Sequence, residues 1–208
     1  MHPRNTNQLD YDFQRLTDAV PELKPFVLMN QTGNQTIDFS NADAVKLLNN
    51  AILSVYYGIE SWDVPAPYLC PAVPGRADYI HHMADLLAKY NKGKIPRGNK
   101  IRGLDVGTGA NCIYPILGKS IYNWSFIASD IDDMALMNAS QILEANAKLK
   151  SHIVLRKQPS INNYFENVLN DNEFVDFTIC NPPFYESRAE ADKQNMRKNK
   201  NLSGLEKD

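Results

Sequence analysis

Nowhere in this 208-residue chain does an apolar run approach the ~20 residues needed to cross a bilayer. The opening Met1-His2-Pro3-Arg4-Asn5 is polar, with no apolar stretch behind it. Both features speak against a membrane span or secretory leader and for a soluble cytoplasmic protein. Cysteine is scarce too: Cys70, Cys112 and Cys180 are odd in number and show no close-paired metal spacing. A disulfide framework and a zinc site are therefore not expected, and a reduced compartment is. His81 and His82 are adjacent, fall on different faces of a helix and make poor joint metal ligands. Nor does one sign of charge dominate. With 22 Lys+Arg against 24 Asp+Glu the formal net charge is −2, so only a local patch can meet a nucleic acid. Internal repeats and low-complexity tracts are missing as well. What is there is an ordinary globular composition, 43% hydrophobic, enough for one domain or one domain with an extension.

The first hundred residues exceed what a minimal cofactor-binding domain requires. Phe13, Leu16 and Val20 sit at helical spacing within Asp10 to Val20, and Pro21 marks the end. A short strand is expected around Ile37 to Phe39. Ala44, Leu47, Leu48, Ala51, Ile52 and Val55 then recur at spacings of three and four, with Ser40 or Asn41 as cap and Gly58 as stop, a helix packing a core-facing stripe. Four prolines between Val64 and Gly75 exclude helix and central strand alike. Pro74-Gly75-Arg76 opens a helix to about Tyr90, with Arg76 in its first turn. A cation there opposes the helix dipole, so it is either a solvent-facing charge or a carboxylate-binding fork.

Ile101 to Asn111 organises the rest. An apolar run ends in Asp105 and two close glycines, Gly107 and Gly109, which read as a buried strand entering a turn whose backbone can approach a ligand. A second run, Trp124 to Ser129, ends in Asp130, near the ~20-residue spacing at which an acid receives a ribose hydroxyl pair. The dinucleotide fingerprint fails, because its third glycine would stand at position 112, which is Cys. Gly118-Lys119-Ser120 imitates the end of a phosphate loop, but the motif's first glycine would fall at Ile113 and no strand leads into it. A turn for an adenosine ligand without a pyrophosphate remains, which points to S-adenosylmethionine. A helix from Asp132 to Leu149, a strand from His152 to Leu155 and a strand from Phe174 to Cys180 complete an α/β, Rossmann-like doubly wound parallel sheet of the class I methyltransferase type.

The last strand delivers Asn181-Pro182-Pro183-Phe184 to the ligand edge. Two prolines remove N–H donors and fix the backbone, leaving the Asn181 amide and the Pro182 carbonyl as directed hydrogen-bonding groups. If both accept from an adenine amine, its lone pair is drawn out of the ring and toward a methyl donor, while Phe184 stacks the extruded base.

The opening His2-Pro3-Arg4-Asn5, the segment Pro74-Gly75-Arg76 to Tyr79-Ile80-His81, the run Asp105 to Pro115, Asp130-Ile131-Asp132 and Asn181-Pro182-Pro183-Phe184 together resemble the 23S ribosomal RNA adenine-N6 methyltransferases of the RlmF type. Eukaryotic relatives of that family methylate spliceosomal small nuclear RNA. The resemblance implies that Arg76, Gly107, Asp130 and Ser160 contact the cofactor beside Asp105 and Gly109, and that Asn181 to Phe184 form the catalytic loop. It also implies that the extension, residues 1–75, helps to hold 23S RNA, with His2, Arg4 and Asn5 as contacts, while residues 76–208 form the S-adenosylmethionine-binding domain. No metal and no membrane partner is implied.

A protein glutamine or a DNA adenine presents a similar amine, and an inactive RNA-binding chain is the third reading. A complete sheet of this class needs three further strands, yet Tyr185 to Asp208 are mostly polar. The sheet is therefore expected to hold four strands in the order three, two, one, four, lacking its C-terminal strands and leaving the fourth as an open edge. Such an edge should drive self-pairing. Light scattering should show concentration-dependent association, and calorimetry showing a soluble monomer with one fully cooperative transition would contradict it.

Overall fold

A computed structural model describes residues 1–7 and 11–182. The extension begins with α1 (Phe13–Ala19), whose first turn is capped by the Asp12 side chain accepting from the Arg15 N–H. A 3-10 turn, Pro21–Phe26, leads into a hairpin of β1 (Val27–Met29) and β2 (Gln35–Ile37). The strand expected near Ile37 thus exists, but it ends before Phe39 and has a partner that the apolar pattern did not reveal. Helix α2 (Ala42–Tyr57) follows, with Asn41 accepting from Asp43 and Ala44 N–H and Gly58 closing it at φ 68°. Helix α3 (Val73–Tyr90) starts one residue before Pro74, where the missing N–H costs nothing.

The second half alternates strand and helix: β3 (Arg102–Val106), α4 (Ile113–Tyr122), β4 (Ser125–Asp130), α5 (Asp133–Glu144), α6 (Ala147–Lys150), β5 (Ile153–Lys157) and β6 (Phe177–Cys180). All pairs are parallel in the order β5-β4-β3-β6, which is the expected three, two, one, four. The helix expected from Asp132 to Leu149 is broken at Ala145-Asn146. Asn146 is buried and its side chain is fully engaged: Oδ1 accepts from Glu60 N–H, and Nδ2 donates to the Ser61 and Ile142 carbonyls. A side chain that satisfies the backbone of another segment competes with helix continuation.

Strand alternation sorts the core. Phe126, Ala128, Ile153, Phe177 and Ile179 face one side, together with apolar residues of α4 and α5, and their cluster continues without a break through Phe13, Leu16, Ile52, Trp62 and Ile80. The same core therefore crosses residue 75. On the opposite side Leu104 and Ile127 are covered by Val168, which the return from β5 to β6 carries.

Two glycines make room for aromatic packing on the helical side. A Cβ at Gly103 would lie 2.6 Å from the Phe177 ring, and one at Gly118 would lie 2.5 Å from Phe126 Cε2. The phosphate-loop mimic is thus a packing feature: Gly118 sits inside α4 because the Phe126 ring occupies the space a side chain would need. Helix propensity alone would make Gly118→Ala stabilising by ~1 kcal/mol. Overpacking reverses the sign, and we expect net destabilisation of ~1–3 kcal/mol by denaturant titration. Phe126→Leu in the same chain should recover part of that loss; strict additivity of the two changes would refute the contact.

Candidate active site

The carboxyl ends of the four strands are Val106, Asp130, Lys157 and Cys180, and register aligns them: Val106 pairs with Ser129 and Cys180, Asp130 with Lys157. A parallel doubly wound sheet opens its ligand crevice along that edge. Ser129 carbonyl accepts from both Gly107 and Thr108 N–H at 2.9 Å, folding the glycine loop back onto β4. Gly107 and Gly109 take φ 73° and 66°, in the left-handed region. A Cβ at Gly107 would meet nothing within 4 Å, so this loop leaves open space above it.

Asp130 is held in place by backbone. Gly109 N–H donates to Oδ2 at 2.7 Å and Asp132 N–H to Oδ1 at 2.9 Å, which orients the carboxylate and leaves lone pairs on both oxygens for further donors. Asp132 in turn caps α5 through Met134 N–H and accepts from the Tyr68 hydroxyl at 2.6 Å. Ser160 lies beyond β5; its N–H donates to the Gln158 side chain, and Gln158 N–H donates to the Asp130 carbonyl.

Asp105 is 1% exposed, and neither carboxylate oxygen has a hydrogen-bond partner among the described residues. Burial pushes it up to about 7, and the Asp130 charge adds to this. The nearby Thr108 hydroxyl relieves it only in part, being aimed at Cys112 Sγ at 3.6 Å. An unpartnered carboxylate this deep is costly unless something completes it. A cationic group that reached it would do so, and this acceptor therefore fits a ligand that carries an ammonium.

On the β6 side Arg76 lies 5.9 Å from the centre of the Tyr114 ring, which is 5.2 Å from that of Tyr79. Burial raises both tyrosines, and the Asp105 carboxylate raises both further. Asn181 is half-buried and follows Cys180 directly, next in register to the glycine loop; Pro182 is exposed. Pro183 and Phe184 lie outside the described residues. The fold thus brings Asp105, Gly107, Gly109, Asp130 and Asn181 to one edge, with Ser160 and Arg76 on either flank.

The amino-terminal residues expected to contact RNA are bonded to the protein itself. His2 and Asn5 are 6% and 4% exposed and turned inward. His2 N–H and Asn5 Nδ2 both donate to Asp78 Oδ1, and Asn5 also donates to the Pro74 carbonyl. Arg4, partly exposed, donates to Asp85, to the His81 carbonyl and to the Tyr122 hydroxyl. These bonds fasten the chain start to α3 and to the end of α4, a use that residue type alone could not separate from phosphate binding. His2, His82 and Asp85 also bring possible ligand atoms within 4.8 Å of one another. Yet His2 Nδ1 accepts from Arg4 N–H, so the ring hydrogen sits on Nε2 and is directed to Asp85 at 2.8 Å. That leaves no lone pair for a metal at Nε2.

Sequence reasoning missed how residues 59–72 strap the site. Trp62 Nε1 donates to the Asn111 carbonyl, Asn111 Nδ2 to the Leu69 carbonyl at 3.5 Å, and Asn138 Nδ2 to the carbonyls of both Asp63 and Ala110. Proline density signalled an ordered loop, but nothing in the sequence said where it docks.

This parallel sheet, with its crevice along the strand tips, defines a Rossmann-like fold. A family model described as "RNA methyltransferase" matches residues 1–208, and the chain belongs to that family. It is 53% identical over 207 residues to the ribosomal RNA large subunit methyltransferase F of Flavobacterium johnsoniae, covering 100% of this chain and 66% of that protein. The Photobacterium profundum protein of the same name is 50% identical over 203 residues, 98% of this chain and 60% of its own. The chain thus spans about two thirds or slightly less of the length of these relatives. Among solved structures, the catalytic domain of hMettl16 in complex with the MAT2A 3′UTR hairpin 1 superposes with a TM-score of 0.78 at 35% identity, over 94% of this chain and 63% of that one. The N-terminal domain of human METTL16 in complex with SAH gives 0.75 at 33% identity, over 97% and 79%.

Asp105 sets a pH dependence whose sign is fixed. Its folded value, about 7, exceeds the ordinary 3.8, so its contribution to stability is whole below pH 3.8 and is lost as pH rises through about 7. Asp105→Asn should therefore be more stable than the wild type at pH 8, by on the order of 2–4 kcal/mol, and melt at a higher temperature, with the gap closing toward pH 4. A pH-independent difference in calorimetric melting would contradict the buried charge.

Proposed function

We propose that this chain carries the cofactor and target-amine sites of an S-adenosylmethionine-dependent RNA methyltransferase, that its substrate is an adenine N6 amine in 23S ribosomal RNA, and that it works in the cytoplasm. The observation that carries the reading is the buried, unpartnered Asp105 carboxylate set between the glycine loop and the β6 tip that presents Asn181. The family and the names of its relatives support ribosomal RNA as the partner class. When bound, S-adenosylmethionine supplies a methyl on a sulfonium, ready for displacement.

The chain's own residues do the rest. Asp130, held by two backbone N–H groups, accepts the ribose hydroxyls. Asp105 neutralises the ammonium, and Arg76 takes the carboxylate in a charge-assisted pair. Asn181 Oδ1 and the Pro182 carbonyl accept the two amine hydrogens of the adenine, which localises its lone pair and aligns it for attack. No strong base is needed, since the amine becomes acidic once it is alkylated. Phe184 stacks the extruded base.

Calorimetric titration with S-adenosylhomocysteine tests the cofactor site, and labelled methyl transfer to RNA, DNA and protein from cells lacking the enzyme tests the substrate. RNA should be labelled and the other two not; labelled DNA or protein would redirect the proposal. Binding without transfer to any of them would overturn the enzymatic reading for this chain. Asp130→Ala should weaken binding about ten- to a hundred-fold, as loss of hydrogen bonds to a charged group implies. Asn181→Ala should retain affinity yet lose about two or more decades in single-turnover rate. A near-normal rate in that variant would sink the adenine-amine mechanism.

A further inference from the structure

Tyr68 stands on the proline-rich strap, far in sequence from either strand tip, yet its hydroxyl reaches Asp132 Oδ2 at 2.6 Å. That bond holds the phenol protonated, pushed up to about 12, and the Asp130 charge contributes as well, so Tyr68 lies within the electrostatic reach of both acids. Asp132 is doubly committed. Its Oδ1 caps α5 and its Oδ2 takes the tyrosine, while its own N–H fixes Asp130 Oδ1. The opposite oxygen of Asp130 is fixed by Gly109 N–H. A continuous path of hydrogen bonds thus runs from the strap, through Asp132 and Asp130, to the glycine loop.

The strap is itself immobilised, and by independent anchors. Asn138 ties it to the loop through Asp63 and Ala110, Trp62 reaches Asn111, and Asn49 Nδ2 donates to the Pro71 carbonyl at 2.7 Å. Removing the Tyr68 hydroxyl therefore leaves the strap in place and releases one thing, the orientation of the Asp132 side chain and of the turn that sets Asp130.

We propose that Tyr68 is a positioning residue for the cofactor's ribose, acting through Asp132 on Asp130 and setting affinity for ligands that carry both ribose hydroxyls. The inference rests on the S-adenosylmethionine reading above. It adds a specificity determinant, in the extension, to a site otherwise built from the sheet. A residue acting this way should affect ground-state binding of the cofactor and leave the methyl-transfer step alone, because nothing in the path touches Asn181.

The test is Tyr68→Phe, which keeps the ring and loses only the hydroxyl. Titrations use S-adenosylhomocysteine and its 2′,3′-dideoxy counterpart. We expect the variant to bind S-adenosylhomocysteine roughly five- to twenty-fold more weakly, below the full loss of a direct bond to a charged group. Affinity for the dideoxy compound should be unchanged, as should the melting temperature of the free protein. In transfer assays KM for the cofactor should rise while kcat holds. Equal weakening of both ligands, or a fall in melting temperature that accounts for the loss, would make Tyr68 merely structural and overturn the proposal. Unaltered affinity for S-adenosylhomocysteine would overturn it directly. Failure of the wild type to bind S-adenosylhomocysteine would instead sink the cofactor reading and this inference with it.

Discussion

The site depends on one carboxylate accepting two backbone hydrogens from different segments. Asp130 receives Gly109 N–H from the loop after β3 and Asp132 N–H from the turn before α5. Without that bridge Gly109 would lose its own anchor, and the loop would be held only before it, by Ser129 carbonyl, and after it, by Asn138 and Trp62. Charge-assisted bonds of this type are among the stronger ones available to a loop. The orphaned Asp105 marks the opposite condition on the neighbouring strand: a carboxylate the fold buries and does not satisfy among the described residues. One acid is preorganised and the other is left in want of a partner, and the contrast gives the crevice its direction.

The extension serves this edge rather than standing apart from it. Its core residues merge with those of the sheet, Asn146 joins α5 to Glu60 and Ser61, and the chain start is sewn to α3 through Asp78 and Asp85. The arginine thought to grip a carboxylate therefore sits on a helix braced from two sides. Burying His2 and Asn5 there also lowers Asp78 and Asp85 below the usual carboxylate range through the bonds they accept, even against burial in the case of Asp78.

Features that local chemistry determines were legible in the sequence. Asn41 and Gly58 bound α2 because a cap and a left-handed stop are properties of single residues. The strand order followed from the doubly wound class, in which the chain crosses back over the first strand after the third. The glycine loop was readable because left-handed backbone favours glycine, and the place of Asp130 because an apolar run that stops in an acid marks a strand tip. Features that depend on long-range partners were not. β1 is three residues long and exposes Leu28 and Met29, so it carries no burial pattern to read. Asn138 and Asn146 look like any polar helix residue until the strap arrives. His2 and Arg4 suit RNA and carboxylates equally, and only the fold shows that Asp85 comes first.

The chain has two tryptophans, and the fold assigns them separate surroundings. Trp124 is stacked 4.7 Å from the Tyr122 ring in the core, its indole N–H bonded to Pro96 carbonyl. Trp62 is in the strap, bonded to the carbonyl of Asn111 at the end of the glycine loop. Both indoles are buried, so neither emission is quenched by bulk water at rest. The protein consequently carries its own pair of optical probes, one blind to the crevice and one wired to its rim. With Trp124 replaced by Phe, the remaining fluorescence would follow the strap alone, giving a label-free view of how that wall responds as ligands enter.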